Sequence, residues 1–194
     1  MTKHVEFFFD FTSPYSYLAW TQLSKLTAHN NIAIVWQPIS LGALFKASGN
    51  TSPTVVPAKR AYLLKDLADQ AKWHQVPFTF NPSFPIKNTL ALRIALACDS
   101  ASDRARWIEK AFTAMWDQAR DLSDAEVIKQ LIADAGLDTG TLLAQAEEES
   151  VRQQLKQQTV DAIARGVFGA PTFFVNEQMF FGHDRFHLVR HALE

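Results

Sequence analysis

Strand signal falls only at the two ends of this 194-residue chain, and helical periodicity fills most of the stretch between them. At the start, "HVEFFFDF" (4–11) is an aromatic, apolar run of strand length, and "IAIVWQPI" (32–39) is rich in β-branched residues. Residues 14–29 read as a helix, with Pro14 at its first position and Asn30-Asn31 breaking it. Two strands joined through a helix of this length predict a parallel pair with a right-handed crossover. At the other end, "APTFFVNEQMFFG" (170–182) reads as a hairpin turning at Asn176-Glu177, and "HDRFHLVRHALE" closes as a helix. Together the two ends make a four-stranded mixed α/β sheet with helices packed on it.

The middle divides in two. "FKASGNTSPTVVPAKR" (45–60) reads as a loop, with Gly49, Asn50, Ser52, Pro53 and Pro57 close together. Pro57 opens a helix running to about Trp73, and after "VPFTFNPSFP" the chain from about 88 to 165 reads as helices. Ala105, Ile108, Phe112, Met115 and Ala119 recur at helical spacing. Ser123 and Glu126 form a capping-box pattern, Gly136 ends that helix, and Gly166 stops a helix that begins near 150. The expected organisation is a discontinuous unit of residues 1–40 and 166–194, interrupted by a loop and helical insertion over 41–165.

The formal net charge is −1 and the basic residues are scattered, so no field is available to draw nucleic acid or anionic lipid. One cysteine, Cys98, excludes an intrachain disulfide, CxxC redox chemistry and a Cys-rich metal site. It lies in the apolar stretch "LRIALAC" and is expected to be buried. The run Phe7–Phe9 is too short for a secretory leader or a membrane span, which predicts a cytoplasmic protein. The 15 Phe, 5 Trp and 3 Tyr suit an aromatic pocket and a bulky core equally.

Ser13, just before Pro14, has two readings. A serine there caps a helix, worth about 1 kcal/mol. A helix N-terminus also offers free N–H groups and partial positive charge, which favour an anion. The order β-α-β, helical block, β-β-α, with Pro171 directly before the third strand, resembles a thioredoxin-like fold with a large all-helical insertion between its two halves. Ser13-Pro14-Tyr15-Ser16 then stands where a redox member carries Cys-x-x-Cys, and hydroxyls cannot exchange disulfides. Three stretches sharpen the likeness: "FDFTSPYSYLA", "FKASGNTSP" with "VPAK", and "GVFGAPTFFV" with "FFGHDR". Together they resemble the 2-hydroxychromene-2-carboxylate isomerases and the kappa-class glutathione transferases.

That resemblance implies glutathione as cofactor, with Ser13, Pro14 and Tyr15 among the residues that bind it and the Ser13 hydroxyl at its sulfur, stabilising the thiolate. It implies that Ala170 offers its backbone to the peptide part of glutathione and that Pro171 is cis. The γ-glutamyl end falls to His183 and Asp184, with the N–H groups of the following helix meeting the carboxylate; an N-cap is the plain reading of Asp184. Asn50, Lys59 and Asp66 match further glutathione positions, although Lys59 and Asp66 on one helix face also fit a solvated surface pair. Lys46 matches a substrate-side lysine that holds a carboxylate. The implied activity interconverts 2-hydroxychromene-2-carboxylate and trans-o-hydroxybenzylidenepyruvate, an aromatic-catabolic step, by reversible addition of the glutathione thiolate. Two alternatives stay open: a transferase that consumes glutathione, and a non-catalytic glutathione-binding module. A homodimer acting on a small aromatic carboxylate completes the expectation, with no nucleic-acid or membrane partner.

Overall fold

The computed structural model describes residues 3–27 and 32–194. The first strand, β1 (Lys3–Phe9), leads through a turn to helix α1 (Pro14–Thr27), and β2 (Ile32–Pro38) pairs with β1 in parallel. The strand ends two residues earlier than the sequence suggests, because Asp10 turns its carboxylate onto the next residues. The expected break at Asn30-Asn31 lies outside the described residues.

The expected loop over 45–60 is largely structured. Helix α2 (Leu41–Ser48) occupies its first part and a 3-10 turn spans Pro53–Val55. Ser40 caps α2 by accepting the Ala43 N–H, and Gly49, at φ 69°, closes it in the left-handed conformation that glycine tolerates best. Helix α3 (Pro57–His74) opens at the expected proline. Then follow α4 (Thr89–Ala97), α5 (Ala101–Trp116), α6 (Ala125–Asp134), α7 (Thr139–Glu147) and α8 (Glu149–Ala164). The capping box at Ser123 is not formed. Asp124 caps α6 by accepting the Glu126 N–H, while Ser123 donates to Asp121. Gly136 and Gly166 end their helices at positive φ.

The hairpin is β3 (Thr172–Val175) and β4 (Gln178–Phe181), turning at Asn176-Glu177 as the sequence predicts. A 3-10 turn over His183–Arg185 precedes α9 (Phe186–Ala192). The sheet order is β2-β1-β3-β4, with β1 antiparallel to β3.

Alternation along the strands splits the aromatic residues between two cores. Phe7, Phe9 and Phe173 face α1 and α9, where Leu18, Leu23 and Val189 join them; the Phe7 and Phe173 rings stack at 5.1 Å. Phe8 and Phe174 face the other way, onto Leu44 of α2 and Ala162 of α8. The buried Trp116 indole of α5 donates to the Phe11 carbonyl at 2.7 Å, tying the helical block to the end of β1. Among the described residues no helix is long and apolar enough to cross a membrane.

Candidate active site

The site forms where β1 ends, β3 begins and α1 starts. Asp10 organises this corner. The residue is 3% exposed. One carboxylate oxygen accepts the Thr12 N–H and hydroxyl, each at 2.8 Å, and the Asn88 amide at 2.5 Å; the other accepts the Leu41 N–H at 2.8 Å. Its carbonyl accepts the Ser13 N–H at 3.0 Å. One buried acid thus joins the turn carrying Ser13, the start of α2 and the residue before α4. Sequence reading missed Asp10, because its partners come from three separate segments.

Ser13 is buried at the mouth of α1. Its oxygen accepts the Ser16 N–H at 3.1 Å, so the capping role is real. Its hydroxyl donates to the Ala170 carbonyl at 2.9 Å. The Ala170–Pro171 bond is cis, as the resemblance implies. The loop before it is held on three sides: Asn50 donates to the Phe168 carbonyl at 3.0 Å, Thr172 to Gly169 at 2.8 Å, and the Gly182 N–H to Pro171 at 3.0 Å. The hydroxyl of Ser16, a fully buried residue three positions after Ser13, has no hydrogen-bond partner among the described residues.

Tyr15, two residues into the motif, reaches across to α3 and to the chain's last turn. Its hydroxyl donates to Asp66 at 2.7 Å, and its ring stacks on His183 at 4.8 Å. Burial, and then the Asp66 hydrogen bond, hold the phenol above the usual tyrosine range, so it stays a donor at neutral pH. Burial lowers the pKa of His183, which favours the neutral ring, and its Nε2 is buried with no hydrogen-bond partner among the described residues.

Asp184 is exposed and paired with Arg185. It is not a helix cap: Gly182 holds that position for the 3-10 turn and Arg185 for α9. Gly182 has φ 106°, and a Cβ there would fall 2.6 Å from an Asp184 carboxylate oxygen, so only glycine lets Asp184 fold back over this turn. Beside Asp184 a cavity of about 360 Å³ opens between α1, α3 and α9, with Gln22, Lys25, His74, His183 and Arg190 on its walls.

The expected residues therefore separate into groups. Ser13, Pro14, Ala170 and Pro171 meet at one point; Tyr15, Asp66 and His183 form a second cluster directly beside it; Asn50 braces the loop between. Lys46 in the last turn of α2 and Lys59 in the first turn of α3 are exposed, and Lys59 makes no ion pair with Asp66.

A family model described as a DSBA-like thioredoxin domain matches residues 4–194. The chain is 33% identical to a 2-hydroxychromene-2-carboxylate isomerase of Sphingobium xenophagum, over 95% of each chain. It is 29% identical to Glutathione S-transferase kappa 1 of Homo sapiens, over 100% of this chain and 92% of that one. A solved structure of 2-hydroxychromene-2-carboxylate isomerase superposes with a TM-score of 0.90 at 27% identity, covering 97% of this chain and 93% of the other. A probable DsbA oxidoreductase of Streptomyces coelicolor shares the fold, with a TM-score of 0.79 at 16% identity.

Proposed function

The chain belongs to the DSBA-like thioredoxin domain family, and from that premise we propose that it is a glutathione-dependent isomerase of small aromatic carboxylates, of the kind that interconverts 2-hydroxychromene-2-carboxylate and trans-o-hydroxybenzylidenepyruvate. The observation that carries this reading is the Ser13 hydroxyl, set at the N-terminus of α1 and 2.9 Å from the carbonyl that precedes Pro171. In the redox members of such a fold this corner holds a thiol; here Ser13 and Ser16 leave it without sulfur.

The corner fits glutathione. It offers a hydroxyl donor beside the Tyr15 N–H in the first turn of α1, a backbone carbonyl whose present donor is a rotatable hydroxyl, and a buried hydroxyl on Ser16 with no partner among the described residues. Bound glutathione supplies a thiolate that adds reversibly to the conjugated carbon of the substrate. Ser13 turns its single proton from Ala170 to the sulfur, and the helix end adds positive potential, which together favour the ionised thiol. The Ala170 carbonyl, released by Ser13, accepts a peptide N–H of the ligand in its place. Asp184 meets the γ-glutamyl ammonium. Lys25 and Arg190, on the cavity wall beside it, provide the positive charge its carboxylate needs, alongside the N–H groups at the start of α9. Asn50, Lys59 and Asp66 would supply the remaining glutathione contacts, and Lys46 would hold the substrate carboxylate as a point charge.

The test mixes the protein with 2-hydroxychromene-2-carboxylate, with and without glutathione. A spectral change that requires glutathione and leaves free thiol undiminished supports the isomerase; no glutathione-dependent change overturns it. Because relatives named Glutathione S-transferase kappa match as fully, a second reading stands, and thiol consumed in step with turnover selects the transferase.

A further inference from the structure

Phe168 and Phe181 are both large and apolar, yet 39% and 42% of their surfaces face solvent. They belong to neither hydrophobic core. Their rings sit on one another at 4.5 Å, tilted by 47°. The pair is held in place from below. Asn50 fixes the Phe168 carbonyl, and Gly169 lets the Phe181 ring lie on bare backbone, since a Cβ there would come within 2.7 Å of the ring. Phe181 stands opposite Thr172 in the β3–β4 ladder, and the next residue, Gly182, bonds to Pro171. The two rings are therefore fixed to the loop whose Ala170 carbonyl touches Ser13.

We propose that Phe168 and Phe181 form the wall against which the aromatic ring of the substrate lies, making them specificity determinants of the reaction. This rests on the function proposed above. Exposed aromatic surface placed by side-chain and backbone hydrogen bonds next to a reactive corner suits a planar apolar group, and stacked or tilted ring pairs are favoured over isolated rings in water. The charge fits the same occupant. Lys46, exposed in the last turn of α2, stands four residues before the Asn50 that grips Phe168, so the segment bonded to this loop also carries a cation for the substrate carboxylate. Glutathione has no aromatic ring to place there.

The test uses 2-hydroxycinnamate, an aromatic carboxylate without the reactive keto group, titrated calorimetrically into glutathione-saturated wild type, Phe168→Ala, Phe181→Ala and Gly169→Ala. The last variant keeps both rings and displaces one, so it answers even where truncation disturbs folding. Each variant is expected to bind the probe about tenfold more weakly, while glutathione affinity and the ultraviolet absorbance of its bound thiolate stay at wild-type values. Probe affinity unchanged within about twofold in all three, or no binding to wild type, overturns the wall and leaves the Ser13 reading intact. Failure of wild type to bind glutathione overturns both. A wild-type dimer that dissociates in these variants, by sedimentation, shows a subunit interface and also overturns the proposal.

Discussion

The hydroxyl of Ser13 donates to the carbonyl of Ala170 across 2.9 Å, joining residues 157 positions apart in the chain. The same oxygen accepts the Ser16 N–H. Ser13 therefore both caps a helix and holds two ends of the chain together, so its removal has two separable effects. Ser13→Ala is expected to lower stability by about 1 to 2 kcal/mol from the lost cap and the lost bond to Ala170, a few degrees of melting temperature in a chain of this size. The glutathione-dependent rate should fall much further, by about 10² to 10³, as when one donor to a developing or stabilised anion is deleted. Thermal melts and initial rates on the same preparation separate the two. A rate that falls no more than the folded fraction would reduce Ser13 to a cap.

Asp10 gathers four donors from three segments without touching the proposed sulfur position. Asp10→Ala leaves those donors facing a void, and a cost of about 3 kcal/mol or more follows from several unsatisfied buried groups. Asn88→Ala removes one donor to the buried carboxylate and should cost about 1.5 to 3 kcal/mol. Because both residues belong to one network, the double variant should be less destabilised than the sum. Denaturant midpoints at constant slope measure all three; strict additivity would show that the contact carries no coupling.

His183 gives a pH dependence of defined sign. Burial lowers its pKa below the ordinary 6.5. Above 6.5 the ring is neutral whether folded or unfolded and contributes no difference. As pH falls below 6.5 the unfolded chain takes up the proton first, so stability is lost progressively toward the folded pKa. His74, lowered by burial and by Lys25, acts in the same direction. Melting temperature should thus drop on acidification from about pH 7.5 to about pH 5. His183→Phe, which keeps a ring against Tyr15, should flatten that drop without abolishing it. An unchanged slope in the variant would show that His183 titrates normally.

The sequence makes legible what local chemistry decides. Pro14 and Pro57 mark helix starts, Gly136 and Gly166 mark stops, and the Asn176-Glu177 turn sits where alternation breaks. Helix α2 was hidden because Gly, Ser and Pro crowd the residues after it; the capping pair Ser40 and Gly49 was the available signal. At Ser123 the expected cap lost to its neighbour, Asp124, whose carboxylate reaches the Glu126 N–H. The motif likeness brought Ser13, Ala170 and Pro171 together, and the folded chain does so. The bonds from Asp10 to Asn88, from Tyr15 to Asp66 and from Asn50 to Phe168 link residues whose types and spacings carry no mutual signal, so only the folded chain reveals them.

Cys98 tests whether the nucleophile comes from the chain or from outside it. It is the sole cysteine, buried at the end of α4, and burial pushes its thiol up to about 11. At pH 8 a thiol titrating there is thiolate only to about one part in a thousand. A thiol-specific reagent at that pH should leave the native protein almost unlabelled, react rapidly once the chain is unfolded in denaturant, and leave the glutathione-dependent rate intact. Cys98→Ala should keep that rate as well, with a modest loss of stability from the emptied volume. Should native labelling proceed quickly and activity vanish in proportion, the chain would have its own sulfur within reach of the chemistry, and Ser13 would lose its reason to hold one from glutathione.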